Sequence, residues 1–242
     1  MTTLELEARL DNLLTTAQTE TKDIDLFAPI AEREECPVCL QTLSIKEDEI
    51  LFMSCCGKKI CCGCIIKSKF VDKKNGVPDH KQKCAFCRQP HSLQNKTSIM
   101  KALKKLIKKN NPDAFAQMAG CYKEGDGVRQ SDTKSLEMLI RAAELGHANS
   151  YAMIGNYYRQ GCVVDQNTSI ALEYYEVGAK KGSIYAHRKL AIFDWDIGNS
   201  FHNDLAVTHK RCGNIDLYQT HEISCKCWSS RSNEQFDECI QR

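Results

Sequence analysis

Nine of the chain's fifteen cysteines fall between residues 36 and 87. Seven sit in ECPVCLQTLSIKEDEILFMSCCGKKICCGCI, residues 35–65, and two more in KCAFCRQP. Three are two-residue-gap pairs, Cys36/Cys39, Cys61/Cys64 and Cys84/Cys87, and Cys55 and Cys56 form an adjacent doublet. A two-residue gap lets both thiolates face one point about 2.3 Å away, and a structural zinc ion takes four such ligands in a tetrahedron. CPVC alone would also suit a redox dithiol. Three pairs and a doublet in so short a stretch point instead to metal. The segment is polar and small, so the metal is expected to supply much of its folding free energy. No cysteine here stands with a base as an activated nucleophile.

The order of the pairs resembles a RING finger, in the all-cysteine variant, over residues 33 to 91. In that family ligands one, two, five and six hold one zinc, and three, four, seven and eight hold the other. The resemblance implies two zinc ions, the first on Cys36, Cys39, Cys61 and Cys64, the second on Cys55, Cys56, Cys84 and Cys87. Adjacent side chains diverge in an extended chain, so the doublet needs a tight turn, which Gly57 can provide. Cys62 and His80 are the rival ligands. RING fingers of ubiquitin ligases dock a ubiquitin-conjugating enzyme through an apolar residue inside the first pair and a proline after the last. Here these are Val38 and Pro90. Many also carry a cation directly after the last ligand, and Arg88 stands there, with a planar fork suited to bridging two surfaces. Each has a plainer reading: Val38 as packing, Pro90 as a turn, Arg88 as a solvated charge. Ala85 departs from the family, where a proline is common. Such a ligase forms no covalent intermediate and works by positioning.

The rest of the chain must carry this device. Hydrophobic residues make up 42% and charged residues 26% of 242, a folded composition, and a net charge of +2 argues against nucleic acid as a partner. No apolar run approaches the roughly 20 residues of a membrane span. The start, MTTLELEARLDNLL, has neither the basic nor the apolar part of a secretory signal. The expected compartment is therefore cytoplasmic or nuclear. TLELEARLDNLLTTA reads as a short amphipathic helix, packed or fraying, with pairing to itself or to a partner as the rival reading. IMKALKKLIKKNN puts Ile99, Leu103, Leu106 and Ile107 on one helical face, and Lys101, Lys104, Lys105, Lys108 and Lys109 on the remainder, readable as a basic docking face for acid or nucleic acid or, more commonly for such a run without aromatics for base stacking, as a solvated helix surface.

An internal repeat follows. Residues 114–146 align with 150–182 without a gap, at a period of 36. A period in this range indicates a solenoid. Each copy reads as two helices, the first closed by Gly125 or Gly161 and the second by Gly146 or Gly182. Met118, Tyr122, Leu136, Ile140, Ile154, Tyr158, Leu172 and Tyr175 are the expected core; Ala119, Gly155, Ala143 and Ala179 allow close helix approach. MAGCYKEGDGV, KSLEMLIRAAELG, IGNYYRQG and IALEYYEVGAKKG resemble Sel-one-like repeats, relatives of the tetratricopeptide repeat, over residues 113 to 197. Copy two departs at Val163, where copy one has Gly127. A third copy begins with Ala186, Leu190 and Ala191 and breaks at Asp194. Such arrays bind proteins.

The expected architecture is an α+β zinc-binding RING cross-brace domain joined to an all-α solenoid of helix-turn-helix repeats. Its parts are an N-terminal amphipathic helix and linker (1–31), the zinc domain (32–92), a connector with a basic helix (93–112), the repeats, two full and one partial (113–198), and an irregular or disordered tail (199–242). The resemblances together imply a RING-type ubiquitin ligase with an unknown protein substrate on the repeats. The other class is a zinc-stabilised interaction adaptor without transfer activity. Membranes and nucleic acid are not expected partners.

Overall fold

Helix-starting and helix-stopping residues set the pattern from residue 96 onward. The computed structural model describes residues 3–26, 34–44, 49–78, 82–89 and 96–197, with side chains to residue 193. Among these, α1 spans Thr3–Glu20 and a two-stranded hairpin pairs β1, Ile50–Met53, with β2, Lys58–Cys61. Next come α2 (Cys62–Lys74) and α3 (Lys96–Ile107). Then α4 (Pro112–Glu124), α5 (Asp132–Glu144), α6 (Ala148–Gln160) and α7 (Thr168–Lys180) alternate, and α8 runs Ile184–Ile197. Asn111 caps α4 by accepting from the Ala114 N–H at 2.9 Å, with Pro112 in the first turn. Asn167 does the same for α7, and Ser131 for α5. These caps satisfy backbone donors that a helix start leaves orphaned. Gly125 and Gly161 end α4 and α6 at φ +74° and +67°, as left-handed caps. The second helices close one residue earlier than the glycines suggest: Leu145 and Lys181 are the caps, and Gly146 and Gly182 follow at positive φ.

The four repeat helices and α1 share one core. Of the expected core residues, Met118, Leu136, Ile140, Ile154, Tyr158 and Tyr175 are buried, while Tyr122 and Leu172 are partly buried at the core's edge. Gly155 touches Tyr175 so closely that a Cβ there would sit 2.7 Å from Cε1. One period earlier the equivalent positions are Ala119 and Leu139, both buried. The larger tyrosine of copy two is matched by the smaller glycine. Gly127, at φ +73°, packs against Met100 of α3: a Cβ there would sit 3.1 Å from its Cγ.

α3 covers the front of the array. Met100, Leu103 and Leu106 are buried with Ala114 and Met118 of α4, flanked by Ile99 and Ile107 as the periodicity predicts. Phe52 of β1 packs against the same cluster. α1 lies against α5 and α7, burying Leu6, Leu10, Leu13, Leu14 and Ala17. Tyr174 donates its hydroxyl proton to the Leu10 carbonyl at 2.8 Å and stacks on Tyr158. Arg9 pairs with Glu144, and Lys181 with Glu20. Of the alternatives for this helix, packed, fraying or paired with itself or a partner, the packed form is the one seen. The tail beyond residue 197, with its cysteines and histidines, lies outside the described residues.

Candidate metal centres and the surface around them

The first and last cysteine pairs fold into the same short turn. In one, the Leu40 N–H donates to the Cys36 carbonyl and the Cys36 N–H to the Gln41 carbonyl, both at 2.8 Å. In the other, Arg88 N–H donates to Cys84 carbonyl at 3.1 Å and Cys84 N–H to Gln89 carbonyl at 2.8 Å. Leu40 and Arg88 occupy equivalent places, at φ +59° and +57°. The left-handed region costs a non-glycine residue roughly 1–2 kcal/mol, so both turns hold some strain. Cys61 ends β2 and Cys64 sits in the first turn of α2, so the hairpin and helix fix the third pair.

The doublet sits in the turn between the strands. Cys56 and Gly57 both donate their N–H to the Met53 carbonyl, at 3.1 and 2.7 Å, and Gly57 adopts φ +69°. This tight turn turns both adjacent thiols to one side. Four sulfurs gather from Cys36, Cys39, Cys61 and Cys64, and four from Cys55, Cys56, Cys84 and Cys87, each set within 4.8 Å. Cys62 stands outside both groups, and His80 lies outside the described residues.

The donor sets fit a tetrahedral ion. Zinc–sulfur bonds of about 2.3 Å put ligand sulfurs roughly 3.8 Å apart. Sγ of Cys39 and Cys61 are 3.8 Å apart, and those of Cys55 and Cys87 are 3.5 Å apart. Burial and the neighbouring thiols push Cys55 and Cys64 well up, and burial raises Cys56 to about 11. Burial also opposes ionisation of Cys36, but N–H groups of Cys61, Cys39 and Val38 outweigh it and bring it down to about 6. Four thiolates so close repel one another; a cation among them reverses that balance. Both clusters can therefore hold a metal ion. Among the described residues, the buried core here besides the cysteines is Leu43, Met53, Ile60 and Ile65, with Ile50, Leu51 and Ala85 packed against it.

Around the clusters, Val38 is 42% exposed. Pro90 lies outside the described residues. Arg88 reaches back to α2, with Nη2 3.4 Å from Asp72 Oδ1 and Nη1 3.4 Å from Ser68 Oγ. Asp72 is buried and also accepts the Lys83 N–H at 3.2 Å. Leu40, Ile66, Phe70, Val71 and Phe86 are exposed apolar side chains that sequence reasoning missed. The i, i+4 spacing of Ile66 and Phe70 was the available signal.

The clusters are keyed to the array. Gly57 faces Leu106 and Asn111, each 3.1 Å from where a Cβ would stand. Lys59 of β2 pairs with Glu34 and with Asp113 of α4, both at 2.9 Å. His147 Nε2 lies 3.5 Å from the same Asp113 oxygen, and its Nδ1 2.8 Å from Ser150 Oγ. Burial works against charge on Asp113, but His147 and Lys59 outweigh it and hold its carboxyl below the ordinary value.

The Sel1 repeat family matches this chain twice, over residues 112–147 and 148–183. The cysteine-rich segment lies outside both stretches. The crystal structure of a Sel1 repeat protein from Oxalobacter formigenes is 30% identical, over 49% of this chain and 50% of its own, with a TM-score of 0.44. That of a protective antigen present in uropathogenic Escherichia coli strains, displaying an SLR fold, is 21% identical over 61% of this chain and 28% of its own, with a TM-score of 0.40. The chain spans half or less of either protein. No curated protein matches it significantly. Residues 112–183 are two Sel1 repeats.

Proposed function

We propose that the protein is a RING-type ubiquitin ligase. Two zinc ions shape its cysteine-rich segment, and its Sel1 repeats hold a protein substrate. The observation that carries this reading is the interleaving of the clusters: the first cysteine pair joins the third, and the second joins the fourth. That is the cross-brace order of the RING family. The half-exposed Val38 on one metal loop, with Leu40 on the same loop, Ile66 and Phe70 on α2 and Phe86 on the last loop also exposed, supplies apolar contact for a conjugating enzyme. Arg88 leaves the last loop half-exposed, and its reach to Asp72 fixes the direction of its guanidinium. In this role it orients the charged conjugating enzyme, so it acts on rate more than on affinity.

The test is ubiquitin discharge from a panel of charged conjugating enzymes. Wild type should discharge at least one. Val38→Ala should weaken binding of the free conjugating enzyme, while Arg88→Ala should leave binding nearly intact and slow discharge. The runner-up, a zinc-stabilised adaptor, draws on the same Arg88–Asp72 contact, read as a brace between the last loop and α2. Wild type that discharges no ubiquitin with any enzyme tested would replace the ligase with the adaptor.

A further inference from the structure

From residue 50 to residue 110 the chain carries fifteen Lys and Arg against two Asp, although the whole molecule is only +2. The excess is densest at α3 and the turn after it. Lys101, Lys104, Lys105, Lys108 and Lys109 are all exposed, and among the described residues none pairs with a carboxylate. Several cations elsewhere are paired: Arg9 and Arg141 with Glu144, Lys123 with Asp132, Lys181 with Glu20. Lys96, at the start of α3, is paired too, with Asp126. Like charges three and four residues apart on a helix repel. Along a helix, Lys101 to Lys108 spans roughly 10 Å, close to the Debye length of about 8 Å at physiological salt. The lysines therefore act as one field.

We infer that this lysine face is a docking surface for an acidic polypeptide segment. Three features select that occupant. The apolar face of α3 is already buried on α4 and Phe52, so it has nothing to insert into a lipid surface. The row consists of lysines, without aromatic side chains interleaved to stack on bases. Outside residues 50–110 the chain has twenty-nine Asp and Glu against eighteen Lys and Arg, so a long uniform polyanion would meet repulsion beyond the patch. A short acidic segment of a protein partner meets only the attractive field. The inference does not depend on ligase activity and is read by binding alone.

The experiment uses the full zinc-loaded chain and a fluorescein-labelled peptide of twelve glutamates, followed by anisotropy in 150 mM NaCl. Lys101, Lys104, Lys105 and Lys108, all changed to Gln, should weaken binding at least tenfold, with zinc content and melting temperature unchanged. Gln keeps helix propensity, and the four side chains are exposed. A control removes four charges elsewhere: Lys22, Arg129, Lys134 and Arg159 to Gln. It should bind within about twofold of wild type. The inference is overturned if wild type does not bind, or if the control weakens binding as much. It is also overturned if a 20-base-pair duplex or phosphatidylserine vesicles bind more tightly through the same four lysines.

Discussion

Gly155 and Tyr175 show how far one side chain decides the packing of this array. A Cβ at residue 155 would sit 2.7 Å from the Tyr175 ring and 2.9 Å from the Ala171 carbonyl oxygen. Gly155→Ala in a helix would ordinarily help, by up to about 1 kcal/mol. Here overpacking should win, at a net cost of about 1–3 kcal/mol in denaturant melts. Adding Tyr175→Leu, the pair's form in copy one, should recover part of that loss. If Gly155→Ala alone is as stable as wild type, the close contact is not real. Asp113 makes a second prediction. Its carboxyl ionises more readily in the folded chain than in the unfolded one, so its stabilisation is present at neutral pH and lost as pH falls below about 4. Asp113→Asn should cost about 1–3 kcal/mol at pH 7, leaving Lys59 half-buried on Glu34 alone. The difference from wild type should shrink in acid; a constant difference between pH 7 and pH 3 would refute the linkage.

The cysteine-rich segment and the helices differ in what a sequence reader can extract. Cysteine spacing is legible because metal geometry is local: a two-residue gap and a glycine turn nearly determine where sulfurs point. The repeat was legible because two copies mark the same positions, Met118 with Ile154 and Gly125 with Gly161. Contacts between distant segments were not. Nothing near Lys59 in the chain announces Asp113, and nothing near Arg88 announces Asp72, since one charged side chain resembles another until the fold places it. Cys56→Ser tests the turn between the strands. It should drop bound zinc from two ions per chain to about one by elemental analysis, and leave the helical circular dichroism of the repeats largely intact. Two ions retained would hand the fourth ligand to Cys62 or His80.

At the scale of the molecule, the sequence separates an N-terminal helix, a metal segment and a solenoid, and the fold joins them. Four leucines of α1 are at most 8% exposed against α5 and α7. Leu10→Ala should cost about 2–4 kcal/mol. A chain of residues 96–242 should therefore be helical without zinc yet melt well below the full protein, because it lacks that cover. A peptide of residues 3–20 added in trans should raise its melting temperature; no rise would mean the helix contributes little.

Phe52, Gly57 and Lys59 seat the hairpin on α3 and the start of the first repeat. In a ligase this fixes the reach of transfer. A tethered catalytic end would sample many lysines on a bound substrate, whereas one bolted to the array can address only those at a set distance and bearing. Choice of the modified lysine would then be a property of the scaffold. Inserting one more repeat after residue 183 would shift the marked position rather than widen it.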